Sequence, residues 1–249
     1  MKHYLMVDLG TGNSRVALVD SDGGILGLRT YTNVYHRDSA YEDGQYFLPE
    51  DWAALLLQGC RELCREHPDI QVDAVSAAGA RQSFVLLDGN GRAFLGLPNI
   101  DNRGRAYMAQ VPEHDEIYRL SGKWATEDFG AAKLLGLRMQ HPEQYEAVES
   151  VLSLSEWIAW IFTGRKVMEY TQACESQLYD IGQRSWSQTL CSFYGLRPEF
   201  LPPLQAAGTA VGPILDTYRR ELGMAKDAVF VLGGADTQIA LLQTGIRPG

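Results

Sequence analysis

Apolar residues at the start of the chain fall into short runs divided by tight polar turns, and a helical rhythm appears only later. Tyr4 to Val7 and Val16 to Val19 are strand-like runs, and Asp20 ends the second. Between them, Asp8-Leu9-Gly10-Thr11-Gly12-Asn13-Ser14-Arg15 is rich in Gly, Thr, Asn and Ser and predicts a β-hairpin. Ser21-Asp22-Gly23-Gly24 is a second turn, and Ile25 to Tyr31 reads as a third strand. The opening is therefore an antiparallel three-stranded meander. Thr32 to Phe47 is polar, aromatic and aperiodic, and reads as a surface excursion or a rim over a pocket. Pro49 to Glu66 is the clearest helix: Pro at its start, Glu50 and Asp51 in the first turn, and Trp52, Leu55, Leu56, Gly59, Cys60 and Leu63 on one face. Val72 to Ala78 and Ser83 to Leu87 are the next strands, the latter ending at Asp88-Gly89-Asn90-Gly91.

Further along, Glu116 to Gly122 and Ala131 to Met139 carry helical patterns, and Val151 to Leu154 is a short strand. Ser155 to Gly164 predicts a buried helix with Ser155 as N-cap and Gly164 as its stop. Val229-Phe230-Val231-Leu232 is a buried-type strand. It is followed by Gly233-Gly234-Ala235-Asp236-Thr237-Gln238 and an apolar helix, Ile239 to Gln243. The glycine pair permits close backbone approach to a ligand, and Asp236 stands where an N-cap is expected.

Composition narrows the classes without choosing among them. The chain has 249 residues, 45% hydrophobic and 21% charged, which is enough apolar material for a substantial core. A formal charge of −9 argues against nucleic acid or an anionic membrane as partner, but not against a nucleotide held by a few local donors. No apolar run reaches the roughly 20 residues of a membrane span. Met1-Lys2-His3-Tyr4 enters a strand with no signal-peptide core. Cys60, Cys64, Cys174 and Cys191 lack metal-site spacing, and Cys60 and Cys64 lie one helical turn apart, as packing residues do. A cytoplasmic location is expected.

Two segments carry the chemistry. A turn with two glycines leaves backbone N–H groups outward, where they and the Thr and Ser hydroxyls can hold phosphate oxygens, while an acidic strand end can hold Mg²⁺. By itself such a loop is also an ordinary polar turn. Together the two segments resemble the FGGY family of carbohydrate kinases, whose first motif is D-x-G-T-x-S/N-x-R and whose base motif is G-G-x-D. Asp8, Gly10, Thr11, Ser14 and Arg15 match the first, and Gly233, Gly234 and Asp236 the second. Asn99-Ile100-Asp101-Asn102-Arg103 resembles the family's W-x-D-x-R, with Asn99 in the place of Trp. Ser155 to Gly164 resembles D-Y-L-x-x-x-L-T-G, with Glu156 in the place of Asp. Glu169 to Cys174 resembles D-x-S/T-x-A-S, continuing into Leu178-Tyr179-Asp180-Ile181 and Trp186.

The resemblance implies an α/β, actin-like (ribonuclease-H-like) ATPase domain: a mixed sheet opening with the three-stranded meander, and helices on both faces. It implies ATP and Mg²⁺ as cofactors and a small sugar, ketose or polyol as substrate, and it allows a homodimer. Asp236 would accept the proton of the substrate hydroxyl and contact the substrate. Asp8 would position Mg²⁺. Gly10, Thr11, Gly12 and Asn13 would face the β- and γ-phosphates. Arg15 would either stabilise the transferring phosphoryl or brace the hairpin. Arg81, Gln82, Asp101 and Arg103 would approach the sugar; their bland alternatives are a surface ion pair, a solvated amide and, for Asp101, a helix cap reaching Gln110.

FGGY kinases are roughly twice this length, with a second domain for adenosine. Residues 1–245 therefore read as the N-terminal, substrate-binding domain, and 246–249, with Arg247-Pro248-Gly249, as the start of a hinge; the half alone should turn over little. Within the family the pattern resembles the autoinducer-2 kinase subgroup, whose substrate is an open-chain diketone polyol. The rival class is a non-catalytic sugar-sensing module of the same fold, against which the retained Asp8, Thr11 and Asp236 speak. An actin-fold chaperone is disfavoured by the Ile100 to Arg103 and Ser153 to Ile158 segments.

Overall fold

The computed structural model describes residues 1–245; the expected hinge at 246–249 lies outside the described residues. Strands β1 (His3–Leu9), β2 (Asn13–Asp20) and β3 (Ile25–Thr32) form the meander, with Asp8 opposite Arg15. Along β1, Leu5, Val7 and Leu9 are buried and Met6 is exposed, the period-two pattern of a strand packed on one face. The stretch from Thr32 to Phe47 is not loose surface. It folds as a small ribbon, His36–Asp38 with Gly44–Tyr46, and Phe47 is fully buried, stacked on Trp52 at 4.1 Å between ring centroids.

Helix α1 (Pro49–Glu66) buries Trp52, Leu56, Gly59, Cys60 and Leu63, the face its periodicity marked. Burial pushes the Cys60 thiol up to about 12, so it behaves as a small hydrophobe. Strand β4 (Ala74–Gly79) then runs parallel to β1, with Asp8 beside Ala78. Strand β5 (Phe84–Leu87) turns through Asn90-Gly91 into β6 (Ala93–Leu97), a hairpin partner that the sequence reading did not place. Helices α2 (His114–Ser121) and α3 (Gly130–Gln140) follow.

Strand β7 (Ser150–Ser153) pairs with β5 and passes without a linker into α4 (Leu154–Thr163). Because no residue separates strand from helix, the N-cap falls on Ser153 rather than Ser155, whose side chain lies inside the first turn. Gly164, at φ +68°, stops the helix as expected. Strands β8 (Ala210–Pro213) and β9 (Val229–Ala235) complete the main sheet, in the order β8-β9-β4-β1-β2-β3, and α5 (Asp236–Gln243) leaves from the end of β9. In this sheet β1, β4 and β9 are mutually parallel and the outer strands antiparallel.

One core cluster lies between this sheet and α1 and α4: Leu5, Val7, Val16, Leu56, Leu63, Trp157, Ile158, Phe162 and Phe230 among others. A second surrounds the sheet β6-β5-β7 with residues of α2, α3 and the segment from Met168 to Phe200. The alternate positions of the main sheet, such as Met6, Ala17, Ser76 and Val231, are only half-buried or exposed. Among the described residues, no helix is long and apolar enough to cross a membrane.

Candidate active site

The three parallel strands end together. Asp8 lies in register with Ala78 of β4, and Ala78 with Gly234 of β9, so Asp8 and the start of α5 emerge along one edge with a single strand between them. Two inter-strand spacings make that separation about 10 Å, room for a phosphoryl group with the oxygens on either side of it.

The turn between β1 and β2 is organised from beneath by side chains of the aperiodic stretch. Asn33 Nδ2 donates to the carbonyls of Gly10 (2.7 Å) and Thr11 (3.2 Å), the Tyr35 hydroxyl donates to Thr11 O (2.6 Å), and Asn33 N–H donates to Gly12 O (3.0 Å). The buried Ser14 hydroxyl bonds Asn33 Oδ1 at 2.7 Å. With the carbonyls engaged, the N–H groups of Thr11 and Gly12 have no protein acceptor among the described residues. That is the arrangement of an anion-binding turn. Neither Asn33 nor Tyr35 could be picked out beforehand, because their only signal was composition. Arg15 bonds Asp8 at 2.8 Å across the hairpin, both side chains 44% exposed. In this state it braces the hairpin and occupies one oxygen of Asp8.

At the other end, Asp236 is the first helical residue of α5, and Ala235 is the N-cap. The half-exposed Asp236 carboxylate accepts from Thr237 N–H (2.6 Å) and the Thr237 hydroxyl (3.1 Å) and from nothing else among the described residues. It does not cap the helix; it stands at the strand-to-helix junction with an oxygen to spare. The glycine pair before it is held against protein, not against open space. A Cβ on Gly233 would meet Ala77 O at 1.9 Å, and one on Gly234 would meet Glu169 Oε2 at 2.8 Å. Ala235 N–H donates to Thr171 Oγ1 (3.1 Å), and Thr171 in turn donates to the Glu169 carboxylate, which caps the helical turn Tyr170–Cys174.

The sugar-side residues divide in two. Arg81 and Gln82 follow β4 and are partly exposed; Gln82 Nε2 donates to Glu175 (3.2 Å), and Arg81 lies 3.7 Å from the same carboxylate. Asp101 and Arg103 do not offer polar atoms to the cleft. Both side chains are 0% exposed, bonded to each other at 2.7 Å, with Gln45 N–H donating to Asp101 (2.8 Å) and Arg103 donating to Gln45 O (3.0 Å). They clamp the His36 to Tyr46 ribbon instead of reading a ligand. Asp101 also caps no helix: the 3₁₀ turn Arg105–Gln110 begins at Gly104. Burial pushes the Asp101 carboxyl up against the pull of Arg103. Nearby Lys133, fully buried on α3, donates to the carbonyls of Asp101 (2.6 Å) and Asn99 (3.2 Å), and burial lowers its ammonium to about 8. Asn99, in the place of the expected aromatic, donates to Thr11 Oγ1 at 2.8 Å and so joins this loop to the β1–β2 turn.

Behind the site Glu156 is wholly buried, with Ser153 and Ser155 donating to it and Glu169 N–H donating at 3.3 Å. Burial first, and the neighbouring Glu169 charge as a smaller cause, push its carboxyl up to about 8 from an ordinary 4.5. The folded state holds this proton and the unfolded chain does not. The contribution is therefore complete below 4.5 and lost as pH rises from there to about 8, at up to about 1.4 kcal/mol per pH unit. Glu156→Gln should flatten the fall in stability between pH 5 and pH 8; urea midpoints at both values measure it, and equal slopes in the two proteins would refute the buried-acid assignment.

A family model described as the FGGY family of carbohydrate kinases, N-terminal domain, matches residues 3–243. The chain belongs to this family. It is 41% identical over 245 residues to the putative sugar kinase YoaC of Bacillus subtilis (strain 168), a match covering 98% of this chain and 50% of that protein. It is 28% identical over 258 residues to the autoinducer-2 kinase of Salmonella choleraesuis (strain SC-B67), covering 99% of this chain and 48% of the relative. Among solved structures, a xylulose kinase from Lactobacillus acidophilus superimposes with a TM-score of 0.88 at 19% identity, over 98% of this chain and 50% of that one. These likenesses carry the actin-like α/β fold expected for an FGGY kinase. The chain spans about half the length of the curated relatives it matches.

Proposed function

We propose that residues 1–245 are the substrate-binding domain of an enzyme that transfers the γ-phosphoryl group of ATP to a hydroxyl of a small sugar, ketose or polyol. The observation that carries this reading is the shared edge of β1, β4 and β9, which sets an N–H-bearing turn and a free-standing carboxylate, Asp236, on either side of one strand end. In the reaction Asp236 takes the proton of the substrate hydroxyl as that oxygen bonds to the γ-phosphorus. The bond from phosphorus to the β-γ bridging oxygen breaks, and ADP leaves. The N–H groups of Thr11 and Gly12, with the Thr11 hydroxyl and the Gly10 and Asn13 backbone around them, hold the phosphate oxygens in line. Phosphoryl transfer is mostly positioning and electrostatics, so the rigidity that Asn33 and Tyr35 give the turn matters as much as its donors.

Asp8 fits a magnesium site of the kind nucleotides bring with them: a single carboxylate at a strand end, one oxygen tied to Arg15, beside a turn that takes phosphate. Bound there, Mg²⁺ would neutralise charge on the β- and γ-phosphates. Arg81 and Gln82 face the sugar, while Asp101 and Arg103 support its wall.

The test is ADP release by the complete gene product carrying this chain, measured against ketoses, polyols and dihydroxypentanedione. Release that depends on one of these compounds supports the kinase and names its class; silence across the panel overturns it.

A further inference from the structure

One largely buried segment, Glu169 to Gln177, joins the ends of β4 and β9. Its Gln172 donates to Gly79 O at the end of β4 (3.0 Å), and its Thr171 accepts from Ala235 at the end of β9. Its Gln177, fully buried, donates to the carbonyls of Lys123 (3.1 Å) and Trp124 (2.9 Å). Within it, Glu175 is 3% exposed and faces two other loops: Gln82 Nε2 donates at 3.2 Å, Lys123 Nζ donates at 3.1 Å, and the Arg81 guanidinium lies 3.7 Å away as an ion pair. Gln82 reaches it from a left-handed backbone, φ +62°, a conformation that costs strain in a residue other than glycine and that collects at functional sites.

The charges here do not cancel. Two cations surround one carboxylate, and the Arg81 guanidinium, 42% exposed, donates no hydrogen bond to protein among the described residues. Lys123 uses its ammonium for one bond, to Glu175, so donors remain there as well. Arg and Lys are donors only. Such a surface prefers an acceptor oxygen that carries no proton of its own over a hydroxyl that must also donate.

Building on the kinase reading, we propose that Glu175 is a positioning residue that presents Arg81 and Gln82 to the substrate. Lys123 is a further substrate contact, and together the group selects sugars bearing a carbonyl or carboxylate oxygen over the corresponding polyol. Ketone and carboxylate share the acceptor chemistry, and the experiment separates them.

KM values of the complete gene product are compared for a ketose, its polyol and its aldonate, in the wild type and in Glu175→Gln, Lys123→Met and Lys123→Arg. The expected result is a polyol KM about 10-fold above that of the better of the other two compounds. In Glu175→Gln and Lys123→Met that preference collapses and the KM of the preferred sugar rises about 10-fold, with kcat within about threefold and the KM for ATP unchanged; Lys123→Arg restores it. A purely structural role would instead lower kcat and melting temperature and raise the KM values for sugar and ATP together. If Glu175→Gln does not fold, Lys123→Met decides, since the Lys123 side chain is 28% exposed and its Nζ lies 5.3 Å from the centre of the Phe129 ring, over which an apolar methionine can pack. A polyol KM equal to the better of the ketose and aldonate values in a working wild-type kinase, or an unchanged preference in Lys123→Met, would overturn the inference and leave the kinase standing. Absence of turnover with every sugar overturns the kinase reading and this inference with it.

Discussion

Asp236→Asn in the complete gene product should reduce sugar-dependent ADP release by about 10²- to 10⁴-fold while leaving sugar affinity within a few-fold. The substitution keeps the volume of the side chain and an oxygen for Thr237, the two groups that hold Asp236 in place. What it removes is the capacity to take a proton. Since the side chain caps no helix, the exchange should leave α5 intact, and the neighbouring bond from Ala235 to Thr171 does not involve it. Steady-state kinetics with a sugar titration, alongside a melting curve, separates the effects. A kcat within tenfold of the wild type at full stability would dismiss Asp236 as the base. Among the described residues, the other carboxylate at this edge, Asp8, is paired with Arg15 and lies a strand away.

The elements that carry the candidate site were legible where the sequence was local. The turn from Asp8 to Arg15, the helix from Pro49 to Glu66 and the strand before Gly233 each declare themselves by period and by turn residues, and each stands where the pattern put it. What could not be read is what crosses the chain. Asn33 and Tyr35 brace the β1–β2 turn from a stretch with no period, and Glu175 gathers Arg81, Gln82 and Lys123 across gaps that no spacing rule connects. Asp101 and Arg103 show the converse limit. An Asp two residues from an Arg looks the same whether the pair faces a ligand or is buried behind the wall, and only the 0% exposure of both side chains decides it. The glycine pair was read as a place where backbone approaches a ligand; the approach in the structure is to Ala77 and Glu169. Glycine reports that something is near, not what it is.

Gly233→Ala follows from that distinction and should destabilise the fold by about 3 kcal/mol or more. A methyl group there would lie 1.9 Å from Ala77 O and 2.8 Å from its carbonyl carbon, both backbone atoms of the neighbouring strand. A flexible side chain could swing aside; a strand carbonyl cannot. Relief requires β9 to move away from β4, and the irregularity in pairing between Leu232 and Gly234 is where that movement must be absorbed. The strands are the same two that set Gly234 beside Ala78 and carry Asp236 to the shared edge, so any protein that survives the change should also lose turnover. Gly89→Ala is the matched control, because nothing lies within 4 Å of its new Cβ, and it should stay within about 0.5 kcal/mol of the wild type. Urea midpoints for the two variants decide the matter. If Gly233→Ala unfolds at the same denaturant concentration as Gly89→Ala, β9 and β4 are not held in close contact, and the rigid spacing of the strand ends on which the proposed phosphoryl-transfer geometry depends fails with it.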